Sequence, residues 1–195
     1  MNTQQTVKAL ALFATVQATF SDVHPYCDQI LQNARAAANK GLHGDHLVYA
    51  DGVHVGEEPF GRDRSDCPTM TATSLGRISA AHHVATYTAG QLAAAVAVTR
   101  VLGFRLPWPG LLAGTAINAA THYLIDRREP LKKFLRCKWI GKSAYLDHAT
   151  VQRRPGVVDE AGPGTALMEC DQAAHRLISV VASLTTTWLT LRSHR

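Results

Sequence analysis

Four apolar stretches of helical length constrain the fold of this chain more than any other feature of its sequence. They are Ala9–Phe20, Val84–Phe104, Trp108–Ile125 and Leu177–Leu191. Stretches of this length between polar segments are typical of helices that bury a common face, and together they predict an all-α protein built as a four-helix bundle. The chain has 195 residues, so we expect a single helical domain over residues 1–195.

The same stretches approach the length that a membrane-spanning helix needs, which is about 20 apolar residues. Polar side chains such as Gln91, Arg100 and Asn118 interrupt them, so a soluble bundle is the alternative to the membrane bundle that we expect. If all four stretches span, the connecting segments 21–83 and 127–164 lie on one side, and they contain most of the basic residues. The positive-inside rule then predicts a protein of the cell membrane with these segments in the cytoplasm.

Two connecting segments have recognisable patterns of their own. Residues 39–77 are polar and rich in glycine, and we expect a surface insertion in which Leu47–Val55 forms a hairpin around an Asp51–Gly52 turn. Residues 130–139 separate apolar from basic side chains at helical spacing. This pattern predicts an amphipathic surface helix, which either lies on an anionic membrane face or packs on a soluble core.

The net charge of +5 suits an anionic partner, and in this setting we expect membrane lipid. The sequence has no nucleic-acid-binding motif, so nucleic acid is not an expected partner. The four cysteines have no regular spacing and indicate neither a disulfide framework nor a thiolate metal site.

Three histidine–aspartate pairs are spaced four residues apart, as His24 with Asp28, His122 with Asp126, and Asp171 with His175. On a helix this spacing places both side chains on one face, so that two ligands can reach a common ion. His83 opens the second apolar stretch, and the pairs adjoin the ends of the others. In the membrane topology all seven residues lie at the cytoplasmic end of the bundle.

Imidazole and carboxylate groups beside apolar helices are costly unless they are paired, hydrated or bound to metal. This ligand set favours a divalent metal, either zinc or manganese or iron. Seven candidate ligands exceed the needs of one zinc ion, so the site holds either two ions or one ion with aspartates that orient histidines. Alternatively, the pairs are hydrogen bonds that stabilise the bundle without any ion.

At these residues the chain resembles an uncharacterised family of small multi-helix membrane proteins from actinobacteria and their phages. The resemblance extends over most of the chain outside the insertion, in the stretches His24–Gln32, Lys40–Gly41, Ala81–Thr88, Thr121–Leu131, Gly141–Lys142 and Gly164–His175. It implies a membrane location and a shared polar cluster, but no established activity. In its histidine and aspartate pattern alone, the chain is also similar to membrane-bound metal-dependent hydrolases of the phospholipase C kind.

Two functions are consistent with these features. The first is a membrane-associated hydrolase of a phosphoester, in which metal activates water and an aspartate among Asp28, Asp126 and Asp171 acts as a catalytic base. Arg127, Arg128 and Lys142 would bind the substrate phosphate. The second is a non-enzymatic membrane protein whose His/Asp pairs are structural and whose basic loops bind lipid or a partner. The sequence leaves open whether the protein is an enzyme.

Overall fold

The chain folds mainly into helices. The computed structural model describes residues 3–58, 63–154 and 157–193, and in them it forms seven α-helices, one π-helix and two small antiparallel sheets. The all-α prediction is confirmed. In chain order the elements are α1 Thr3–Pro25, the π-helix Tyr26–Ile30, α2 Ala34–Asn39, β1 Leu47–Tyr49, β2 Thr69–Thr71, α3 Ala72–Val101, α4 Trp108–Asp126, α5 Glu129–Arg136, α6 Ser143–His148, β3 Val151–Arg154, β4 Val157–Asp159 and α7 Ala166–Arg192.

The prediction of a membrane-spanning bundle is wrong. Among the described residues, no helix combines the length and the apolar character that crossing a bilayer requires. The physical reason is the number of polar side chains that the long helices turn inward: Gln91, Asn118 and Thr186 are each at most 1% exposed. The predicted location in the cell membrane and the cytoplasmic orientation of the site both depended on spanning helices. These two predictions are wrong for the same reason.

The chain divides into two compact units. Unit 1 comprises residues 1–32, 84–122 and 172–195. Its apolar core starts from one face of α1, where successive core residues are four positions apart and therefore lie one turn above another. The core consists of Leu12, Val16 and Phe20 from α1, Ala95 from α3, Leu111 from α4 and Ala182 from α7.

Two glycines let α4 approach α7 closely within unit 1. A methyl group at Gly110 would lie 3.0 Å from the carbonyl oxygen of Thr186, and one at Gly114 would lie 2.6 Å from the carbonyl oxygen of Ala182. The contact at Gly114 is shorter than side-chain carbons make, and the one at Gly110 is tighter than most of them. Small residues four positions apart are typical of closely packed helices. Gly110 and Gly114 therefore allow the close contact between α4 and α7.

Unit 2 comprises residues 33–83 and 123–171, and it contains the predicted insertion. The turn at Asp51–Gly52 is present: the Tyr49 N–H donates to the Val53 carbonyl at 2.9 Å, and Gly52 has a φ of +90° that favours glycine. Strand β1 pairs mainly with β2, in a register that places Leu47 opposite Thr71. Within the insertion, residues 59–62 lie outside the described part of the chain.

The insertion ends earlier than its composition predicts, because α3 begins at Ala72 rather than after Arg77. The Thr71 hydroxyl accepts a hydrogen bond from the Ser74 N–H at 3.2 Å, which is the geometry of a threonine N-cap. Thr71 therefore caps the start of α3, before the apolar stretch from which the helix was predicted.

The predicted amphipathic helix is α5, and it belongs to unit 2. Its apolar side is buried through Leu131 and Leu135. Lys132 Nζ lies 3.1 Å from a carboxylate oxygen of Glu160, and Arg136 pairs with Asp147 at 2.5 Å. Since two of its basic groups meet acidic groups of the same unit, α5 fits the soluble-core alternative.

Candidate metal centre

The site in unit 1 begins where Pro25 interrupts α1. Proline has no N–H to continue the helical hydrogen bonds, and its ring crowds the carbonyl one turn earlier. The chain continues as the π-helix Tyr26–Ile30, a wider turn that is rare and frequent at functional sites. His24 precedes this irregular turn and Asp28 lies within it, with His24 Nε2 3.9 Å from Asp28 Oδ2. Both side chains are buried, with exposed fractions of 4% and 5%.

Three buried imidazole rings meet in unit 1, and each comes from a different helix. The ring centroids of His24 and His175 are 4.7 Å apart, those of His122 and His175 are 4.2 Å apart, and those of His24 and His122 are 5.6 Å apart. One nitrogen from each ring lies within 4.8 Å of the other two. Asp28 Oδ1 is 3.6 Å from His122 Nε2. The three histidines could hold a metal ion, with Asp28 beside one of them.

A polar network extends the histidine cluster into the core. The Tyr87 hydroxyl lies 3.0 Å from His24 Nδ1, and the Tyr87 ring stacks on His122 with centroids 3.9 Å apart. Gln91 Nε2 donates to the Tyr87 oxygen at 2.7 Å, and Asn118 Nδ2 donates to Gln91 Oε1 at 2.6 Å. Tyr87 was not predicted as a site residue, although it lies four residues after His83 and so on the same helical face.

Burial sets the protonation of the groups beside the histidines. It raises the pKa of the Tyr87 hydroxyl well above its ordinary value, so this group is a neutral phenol. Burial, followed by the charge of Asp28, also raises the pKa of the Cys27 thiol. Without a metal, Cys27 is therefore a packed thiol at neutral pH.

The remaining three predicted ligands lie in unit 2, where their surroundings differ. His83 Nε2 is 3.0 Å from Asp126 Oδ2, and Lys40 Nζ is 3.1 Å from the same oxygen. A carboxylate oxygen of Asp171 lies within 4.8 Å of one of Asp126. The Lys40 ammonium thus already occupies the cation position beside Asp126, and a metal ion there would have to displace it. Sequence reasoning missed Lys40.

The three basic residues predicted to bind substrate phosphate also lie in unit 2, and they are used unequally. Arg127 donates to the carbonyl oxygens of Lys40 and Leu42 at 2.8 Å each, and burial lowers the pKa of its guanidinium. Arg128 adopts a φ of +58° and packs closely against Gly41. Lys142 is exposed. Of the three, Arg127 has the clearest structural role, because it fixes the chain between α2 and β1.

Comparisons of the chain with protein-family models, with curated proteins and with solved structures each find no match. The family resemblance proposed from the sequence motifs therefore stays a prediction.

Proposed function

We propose that unit 1 binds one divalent transition-metal ion through His24, His122 and His175. The observation that carries the proposal is the convergence of one nitrogen from each of three buried imidazoles to within 4.8 Å of one another. Each of the three histidines is at most 4% exposed. Three imidazoles on three rigid helices form a pre-organised ligand set, so little chain ordering opposes binding.

The chemistry of the donors favours zinc. Neutral imidazole nitrogens suit zinc, copper, iron and nickel, and the nearby carboxylate shifts the preference toward zinc, manganese or iron. Asp28 is placed either to complete a four-ligand shell or to orient His122 by a hydrogen bond, as carboxylates beside metal-bound histidines commonly do. Because Lys40 accompanies Asp126 in unit 2, we propose one ion rather than two.

We further propose that the bound ion serves the hydrolysis of a phosphoester. An ion held by three histidines supplies a Lewis acid that makes water a nucleophile near neutral pH. The residues of unit 1 would orient and enclose that chemistry: Asp28 lies beside His122 and could accept the proton of the attacking water.

A second candidate function is structural. The cluster continues into Tyr87, Gln91 and Asn118 through hydrogen bonds of 2.6–3.0 Å, and all of these side chains are at most 1% exposed. A buried and connected polar network can specify helix register without an ion. This alternative predicts a stable protein that contains no metal.

Metal content separates the two functions. The protein would be stripped with a chelator, dialysed against zinc, and analysed by elemental mass spectrometry. We expect one equivalent of zinc in the wild type and at most about a tenth of that in His122→Gln and His175→Gln, while His82→Gln, an exposed position on α3, keeps the full amount. Substoichiometric zinc in the wild type, unchanged by the substitutions, would leave only the structural function.

The hydrolytic step needs its own measurement. Zinc-loaded wild type and His122→Gln would be assayed with a chromogenic phosphodiester and a chromogenic phosphomonoester. We expect turnover by the wild type that is lost in His122→Gln and lowered by Asp28→Asn. Full zinc occupancy with equal background rates in all three proteins would retain the metal site and reject the hydrolase.

A further inference from the structure

A separate cavity of about 650 Å³ opens in unit 1, where α3 ends and α4 begins. Its volume is within the range of small-molecule binding sites, roughly 300–1,000 Å³. The cavity belongs to neither the histidine cluster nor the polar network, since it shares no residue with them. Nothing in the proposed metal function uses it.

The inner lining of this cavity is apolar. Leu111, which is 1% exposed, and Val96 belong to or pack against the apolar core of unit 1. Phe104 and Trp108 add aromatic surface nearer the solvent, and Trp108 is 56% exposed. About half of the Trp108 side chain is therefore in contact with solvent beside the apolar lining, and a bound ligand could cover this surface.

The outer lining is cationic. Arg100, in the last turn of α3, and Arg105, in the segment between α3 and α4, both line the cavity. In the part of the chain that the structure describes, no carboxylate lines the cavity and neither guanidinium forms an ion pair. The lining also contains Thr99, which donates its hydroxyl to the Ala95 carbonyl at 2.7 Å.

Two like charges on one concavity repel each other, and a bound anion would replace that repulsion with attraction. Guanidinium groups are the preferred protein partners of carboxylates because their paired N–H donors match two oxygens. An anion without an apolar part would leave the surface of Leu111, Val96 and Trp108 in water, whereas a neutral apolar molecule would not use the charges. The lining therefore selects a molecule that has both features.

We propose that this cavity binds a small organic carboxylate with an apolar body. The carboxylate contacts Arg100 and Arg105, and the apolar body covers Leu111, Val96 and the face of Trp108. Binding at this cavity does not depend on the histidine cluster, so it is independent of the proposed metal function.

Isothermal titration calorimetry on the full chain tests the proposal, with decanoate and 2-naphthoate as probes and with 1-decanol and 2-naphthamide as their neutral counterparts. We expect saturable binding of at least one carboxylate at one site per chain, about tenfold tighter than its neutral counterpart. Arg105→Gln and Arg100→Gln should each weaken binding about tenfold, the effect of losing one charge-assisted contact. Arg176→Gln, at an exposed position on α7, is the matched control and should bind as the wild type does.

Three results would overturn the proposal. They are the absence of saturable binding by either carboxylate, equal affinity for a carboxylate and its neutral counterpart, and binding that the Arg100→Gln/Arg105→Gln double variant retains. Circular dichroism of the double variant distinguishes lost contacts from lost folding, and the exposure of both arginines favours a folded variant. His122→Gln should bind the probes normally, which separates this test from that of the metal centre.

Discussion

At the scale of single residues, the hydrogen bonds of Tyr87 favour one tautomer of His24. Gln91 Nε2 donates to the carbonyl oxygen of Phe20 at 3.1 Å, and a carbonyl can only accept, so the orientation of the Gln91 amide is fixed. The same amide nitrogen donates to the Tyr87 oxygen, and so does Asn118 Nδ2 at 3.3 Å. Because the Tyr87 oxygen accepts from two amides, its proton can be donated to His24 Nδ1, 3.0 Å away.

This network predicts that neutral His24 in the metal-free protein carries its proton on Nε2. Long-range ¹H–¹⁵N correlation spectra, which distinguish the two ring nitrogens, provide the measurement. We expect Tyr87→Phe to weaken the preference, and zinc to transfer the proton to Nδ1 because Nε2 becomes the ligand. The exposed ring of His148 is the internal control and should be the same in all three samples. A wild-type His24 protonated on Nδ1 without metal would contradict the network.

Residue spacing found the histidines and aspartates but not their partners. The four-residue spacing of His24 and Asp28 is a local property that a helix turns into proximity, so the sequence could predict it. Lys40 and Asp126 are separated by 86 positions, and their 3.1 Å contact exists only because the fold brings them together. A partner of that kind leaves no periodic pattern in the sequence, and so the built-in cation beside Asp126 could not be predicted.

At the scale of helices, the approach of α4 to α7 depends on Gly114. We expect Gly114→Ala to lower the free energy of unfolding by about 2 kcal/mol, even though alanine favours helices by about 1 kcal/mol over glycine. The added methyl group would lie 2.6 Å from the Ala182 carbonyl oxygen and would also clash with the Thr186 hydroxyl. Urea unfolding followed by circular dichroism provides the measurement.

Two further variants test this assignment of the loss to packing. Gly114→Ala/Thr186→Ala removes one of the two clashes and should recover part of the lost stability. Ala116→Ser, at an exposed position of the same helix, should change stability by less than about 0.5 kcal/mol. If Gly114→Ala were as stable as the wild type, α4 and α7 would not pack as closely as the structure indicates.

The existence of the long helices could be predicted better than their bounds or the strands. The apolar stretches correspond to α1, α3, α4 and α7, because burial of an apolar face dominates the formation of a helix. The polar start of α3 carries little hydrophobic signal and depends on the cap by Thr71. The pairing of β1 with β2 joins Val48 to Met70, and such a register is set by tertiary packing rather than by local sequence.

At the scale of the whole molecule, the membrane prediction failed because the polar side chains within the long helices lower their mean hydropathy. In unit 1, Gln91, Asn118 and Thr186 point into the protein, while Leu177 and Trp188 are 64% and 53% exposed. The long helices therefore combine an interior that is partly polar with an exterior that is partly apolar, and their mean hydropathy stays below that of a spanning segment. The basic segments no longer indicate a membrane side.

Metal binding by the native histidine cluster should also stabilise the folded chain as a whole. An ion that binds the folded state and not the unfolded state stabilises it by about 2.7 kcal/mol at 100 times its dissociation constant. For a chain of this length, that free energy corresponds to a rise of roughly 5–10 °C in the midpoint of thermal unfolding. Differential scanning calorimetry with and without zinc measures the shift, and a chelator should reverse it.

His175→Gln tests whether this stabilisation comes from the cluster. The variant removes one ligand from a side chain that is 1% exposed, so added zinc should no longer raise the unfolding midpoint. An equal shift in wild type and variant would place the zinc elsewhere, for example on the stacked rings of His46 and His54, whose centroids are 4.4 Å apart. His54→Gln distinguishes that outcome, because it should abolish the shift only if those rings bind the ion.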